Sequence, residues 1–156
     1  MTIPPRPELI INYAPELDLR FTFAELLSYG GAASPDYRFE MDCCFRHPRS
    51  TLRYNTSRIY FAPKAITGFQ EQLGAMRQGL ASEAALSDPG ELVVFRLEGN
   101  SRKTVATLDV REYLPPSVAT LHESIEVDYD LFVNKLHREV ERFVEELSHI
   151  DASRPE

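Results

Sequence analysis

An α+β fold is the architecture this sequence predicts: one mainly antiparallel sheet of about six or seven strands with two main helices, mid-chain and C-terminal. Two observations predict it. Alternation of apolar and polar residues at a period of two recurs along most of the chain, the pattern of half-buried antiparallel strands. Steps of three and four, the helical pattern, are confined to one stretch after Pro63 and one after Asp128. Strands in runs with segregated helices make an α+β layer arrangement rather than an alternating α/β one.

The elements follow in order. Leu9–Tyr13 is a weak strand. Leu17, Leu19, Phe21 and Phe23 then share one strand face, opposite Asp18, Arg20 and Thr22. Gly30–Pro35 has loop composition. The cleanest alternation sets Tyr37, Phe39, Met41, Cys43 and Phe45 against Arg38, Glu40, Asp42 and Arg46. His47-Pro-Arg-Ser50 reads as a turn, because proline cannot donate to a ladder, and Thr51–Phe61 returns as the antiparallel partner. Pro63 suits the first turn of a helix whose stripe is Ile66, Phe69, Leu73 and Met76; Gly68 and Gly74 each weaken it by roughly 1 kcal/mol relative to alanine. Gly79 reads as its stop, with Ala81–Leu86 able to continue as a second short helix until Ser87-Asp-Pro-Gly90 breaks the chain. Three strands follow: Glu91–Glu98, Lys103–Arg111 across the hairpin residues Gly99-Asn-Ser101, and Val118–Val127 after Tyr113-Leu-Pro-Pro116. The last helix, capped by Asp128 or Asp130, carries Val133, Leu136, Val140, Phe143, Val144 and Leu147 as one stripe. No internal repeat is visible.

A length of 156 residues suits one domain, 1–156, with 1–8 and 151–156 as flexible tails. A hydrophobic fraction of 43% beside 26% charged residues is that of a folded soluble protein. Met1–Glu8 lacks the apolar core of a secretory signal, and nowhere do eighteen apolar residues run together. Cys43 and Cys44 are neighbours, which on a strand face opposite ways, so two free thiols in a reducing cytoplasm are expected. In that compartment the sequon at Asn55-Thr-Ser57 is a coincidence.

No constellation for catalysis emerges. The four histidines, His47, His122, His137 and His149, include no pair at the helical spacing of a metal site. His47 beside Cys43 or Cys44 reads as a turn histidine near core thiols rather than a catalytic pair. Gly30-Gly31 lacks the remainder of any phosphate-binding motif. No cofactor and no metal are expected.

Charge says more. The net charge of −7 and a pI near 5.2 argue against a general nucleic-acid binder and favour a basic partner, if there is one. It is unevenly distributed: Arg38, Arg46, Arg49, Arg53 and Arg58 face only Glu40 and Asp42 across that span, whereas eight acids stand against four bases from Asp128 onward. Aromatic residues interleave with those arginines, but on the face predicted to be core, so nucleic-acid binding is not expected. On the final helix, pairs of Lys135 with Glu139 and of Arg142 with Glu145 and Glu146 fit the spacing of weak ion pairs. The expected partner-binding residues are Glu139, Glu141, Glu145 and Glu146 on that helix and His47 and Arg49 at the turn.

The stretches Ile66–Leu73, Leu92–Leu97, Leu108-Asp-Val-Arg-Glu-Tyr-Leu-Pro115 and Tyr129–Phe132, taken in order, resemble the WapI-type immunity proteins, small bacterial proteins in which a Glu and a Pro commonly follow the post-hairpin strand as Glu112 and Pro115 do here. The chain departs from that group in having no tryptophan. The resemblance implies an α+β protein that neutralises a toxin by binding it. The expected function is therefore a non-enzymatic cytoplasmic protein-binding domain, with a basic toxin domain as its partner. A dimeric chaperone or adaptor is the alternative, and an enzyme of unknown chemistry a third.

Overall fold

The computed structural model describes residues 6–27, 36–90 and 92–152. The loop expected at Gly30–Pro35, the residue Glu91 and the segments 1–5 and 153–156 lie outside the described residues. The described residues form eight strands and two helices: β1 (Glu8–Tyr13), β2 (Leu17–Leu27), β3 (Asp36–His47), β4 (Ser50–Phe61), α1 (Pro63–Arg77), β5 (Glu83–Ser87), β6 (Val93–Gly99), β7 (Thr104–Leu114), β8 (Ser117–Val127) and α2 (Tyr129–Ala152).

The α+β class holds, but the expectation of one sheet of six or seven strands is corrected. There are two four-stranded antiparallel sheets, ordered β1-β2-β3-β4 and β5-β6-β7-β8. Helix α1, its fifteen residues spanning about 22 Å at 1.5 Å per residue, connects the last strand of the first sheet to the first strand of the second. The missed strand is β5, expected as a helical continuation. Gly79, at φ +73°, turns the chain out of α1, with the Leu80 amide donating to Ala75 O (2.9 Å) and the Gly79 amide to Met76 O (3.0 Å). Beyond it Ala84 and Leu86 alternate inward against β6.

Although no repeat is visible in the sequence, the topology has one. Each half runs four meander strands and then a helix, ββββα twice. The hairpins correspond: Met41, six residues before the last strand pair His47–Ser50, faces Thr56, and Leu108, six before Leu114–Ser117, faces Glu123. The halves exchange helices. α1 packs along β5 and α2 along β1, with Phe69 of α1 on Phe95 of β6 (6.2 Å) and Phe143 of α2 on Phe39 of β3 (5.7 Å). The buried side chains of both sheets and both helices form one continuous cluster.

Local chemistry agrees with the sequence at most elements. Ile66, Phe69, Leu73 and Met76 are the buried stripe of α1. On α2 the buried set is Phe132, Val133, Leu136, Val140, Phe143 and Leu147, with Val144 partly buried. Asp128, rather than Asp130, caps α2: its Oδ1 accepts the Leu131 amide at 3.0 Å. Gly99 is at φ +141°, where a Cβ would lie 2.1 Å from Lys103 O, so the β6–β7 turn requires glycine. Cys43 is buried and Cys44 half-buried, both free, as neighbours on opposite faces of β3 must be.

Candidate functional site

Polar contacts join the sheets where their longest hairpins approach each other. Tyr54 and Thr56 of β4 donate hydroxyl hydrogen bonds to the two carboxylate oxygens of Glu112 on β7, the Thr56 bond measuring 2.6 Å. His47 at the end of β3 bonds Glu123 of β8 through Nε2 at 2.9 Å. By the correspondence of the hairpins, Glu123 occupies the position of Thr56, so each half sends its fourth strand to meet the other half's third.

The proton affinities at this seam are shifted by its hydrogen bonds and burial. The hydroxyl of Thr56, that of Tyr54 and the charge of Arg58 hold the Glu112 carboxyl below its ordinary value, leaving it ionised and a weak base. Burial, reinforced by the bond to Glu112, pushes the Tyr54 phenol well above its ordinary value. Burial also pushes the Cys43 thiol up to about 11, so it stays protonated and unreactive. The second histidine–carboxylate pair, His122 with Asp109, spans neighbouring strands on the outer face of the second sheet, where His122 is 69% exposed. Among the described residues no group of three or more His, Cys, Asp or Glu could hold a metal ion.

The acids expected on α2 do not form one patch. Glu139 and Glu146 both bind Arg142, at 2.9 and 2.5 Å, and the same guanidinium donates to Glu8 O of β1 at 3.0 Å. Arg142 thus pairs three residues back and four ahead; the expected pairs Lys135–Glu139 and Arg142–Glu145 do not form. Glu141 and Glu145 are exposed and lie roughly 100–160° round the helix from Glu139 and Glu146. Beside Glu139 and Glu146 an open groove of about 860 Å³ separates α2 from β1, its apolar lining being Pro7, Ile10, Phe23 and Ile150. His47 is engaged with Glu123 and is not free at the turn, whereas Arg49 is exposed there without an ion-pair partner among the described residues.

Sequence reasoning missed the sheet edges. The exchanged helices cover two of them: Arg142 of α2 binds the backbone of β1, and Gln72 of α1 accepts the Ala85 amide of β5 at 2.8 Å. The outermost strands β4 and β8, of 12 and 11 residues, have no helix packed along them among the described residues. Their charges are opposite. From Cys43 to Gln70 there is no Asp or Glu, and Arg49, Arg53 and Arg58 are exposed without ion-pair partners among the described residues. From Glu112 to Asn134 there is no Lys or Arg, while Glu123, Glu126, Asp128 and Asp130 are present. Those two runs are the sequence signal that marks the edges; reading acidity only from Asp128 onward cut the second one in half.

Among the described residues no helix is long and apolar enough to cross a membrane. No protein-family model, curated protein or solved structure matches the chain.

Proposed function

We propose that this chain is a non-enzymatic, cytoplasmic protein-binding domain of the toxin-immunity kind, which neutralises a basic toxin domain by covering it. One observation carries the reading: α2 borders an apolar groove whose rim carries Glu8, Glu139 and Glu146, and it exposes the carboxylates of Glu141 and Glu145 on another face of the same helix. An apolar centre with a polar rim is the anatomy of a protein interface, and the carboxylates steer a cationic partner toward it. The seam supports binding over catalysis, because a carboxylate held ionised beside a phenol and a thiol held protonated supplies neither a neutral-pH acid nor a nucleophile. No nucleic acid and no cofactor are part of this reading.

The test is protection. A basic toxin domain found encoded in a neighbouring gene is the probe: cells producing it survive when the chain is co-produced, and the two proteins co-purify. Glu141→Lys with Glu145→Lys abolishes both effects while leaving the circular dichroism unchanged. Survival that is indifferent to this chain, or a complex that ignores the charge reversal, refutes the reading.

A further inference from the structure

The two uncovered edges point to a contact that the helix surface does not involve. A long edge strand offers a row of unpaired amides and carbonyls, and natural proteins shorten, bulge or cover such strands to stop them pairing. This chain covers β1 and β5 and leaves β4 and β8 without a helix. The bulge device is used only in part. Opposite Glu40 the ladder of β4 slips by one residue, and there Ser57 O accepts from Arg38 at 2.8 Å while the Arg58 amide donates to Thr56 Oγ1 at 3.4 Å. The stretch Ser50–Asn55 lies before the bulge, and the ladder between β7 and β8 is unbroken along all of Ser117–Val127.

We infer that β4 of one molecule pairs with β8 of a second copy, joining the basic edge to the acidic one and continuing the first sheet of one molecule into the second sheet of the next. The charge pattern selects this pairing over its competitors. A β4–β4 junction sets Arg49, Arg53 and Arg58 against themselves, and a β8–β8 junction does the same with Glu126; like charges facing across strands are unfavourable. A β4–β8 junction sets exposed Arg53 on the side of exposed Glu126, and half-buried Leu52 and Tyr54 on the side of half-buried Leu121 and Ile125. The contact is head-to-tail, because each molecule offers one edge of each sign. The junction is separate from Glu141 and Glu145 on α2 and stands whether or not that surface binds a toxin.

Charge exchange tests it. In sedimentation the wild-type chain associates as concentration rises at low ionic strength and dissociates in high salt, where screening removes the edge attraction. Arg53→Glu alone and Glu126→Lys alone each weaken association roughly tenfold, since either change replaces an attraction by a repulsion. Both residues are exposed, so the circular dichroism of each variant matches the wild type. An equimolar mixture of the two variants associates again, because the reversed β4 of one now complements the reversed β8 of the other. A wild-type chain that stays monomeric up to millimolar concentration at low salt overturns the inference; the edge arginines then act as guards against aggregation. Association that survives Arg53→Glu, or a mixture that does not recover, overturns it equally.

Discussion

Tyr54 and Glu112, 58 residues apart in sequence, are joined by a hydrogen bond from phenol to carboxylate that bridges the two halves of the molecule. Thr56 completes the contact from the same strand, so both carboxylate oxygens of Glu112 are occupied by hydroxyls of the opposite sheet. A part-buried carboxylate with two such donors is well satisfied, and removing one donor leaves the charge under-solvated.

Tyr54→Phe therefore lowers stability by about 1–2 kcal/mol, the cost of an unmet hydrogen bond to a charged acceptor, with little change in packing. Chemical denaturation reads the shift in midpoint. In the Glu112→Gln background the same change costs less, because a neutral amide is cheaper to leave unpaired. Equal losses in both backgrounds would show that Tyr54 acts through packing alone.

Acid weakens the fold through two named groups. His137, half-buried between the helices, has its proton affinity lowered by burial and by Arg77, whose Nη1 donates to Nδ1 at 3.0 Å. An arginine only donates, so Nδ1 accepts and the ring proton sits on Nε2. Both His137 and Glu112 have folded pKa values below their ordinary ones, so the unfolded chain takes up protons first and stability falls with pH. The His137 contribution starts to be lost as pH drops below about 6.5 and that of Glu112 below about 4.5, each being fully lost only beneath its own folded value. The ring resonances of His137 titrate below the ordinary histidine range in the native protein, and His137→Gln removes the upper part of the acid destabilisation. A native titration at or above 6.5 contradicts this.

Cys43 resists alkylation in the native state. It is 1% exposed with its thiol pushed up to about 11, so both access and thiolate are lacking at pH 8. Mass spectrometry of the folded protein after iodoacetamide shows at most one label, on Cys44, and two labels once the chain is unfolded. Native labelling of Cys43 would mean that β3 opens readily.

The strands with a solvated face were legible because burial on one side imposes alternation, and β3 shows it from Tyr37 to Phe45. Helix α2 was legible for the corresponding reason at its own period. Strand β5 was not, since five residues with two alanines and one leucine fit a helix as well as a strand, and only pairing with β6 decides between them. The division into two sheets was hidden too, because which neighbour a strand pairs with is a long-range choice that its own pattern does not record. At the candidate site, Glu141, Glu145 and Arg49 are exposed with no ion-pair partner among the described residues, whereas Glu139 and Glu146 pair with Arg142 and His47 with Glu123. Spacing along one helix says which charges are neighbours; it does not say that Arg142 also reaches Glu8 O, or that Glu123 arrives beside His47 from another sheet.

The exchange of helices sets an order on biosynthesis. Strand β1 is synthesised before the helix that covers its edge, with the eight other elements described made in between. Until α2 is made, the nascent chain holds an unfinished first sheet, its core face and β1 edge waiting for a segment not yet synthesised. Premature termination anywhere before α2 would leave that strand permanently open to pairing with other chains, so truncated products of this gene should partition to insoluble material rather than persist as folded fragments.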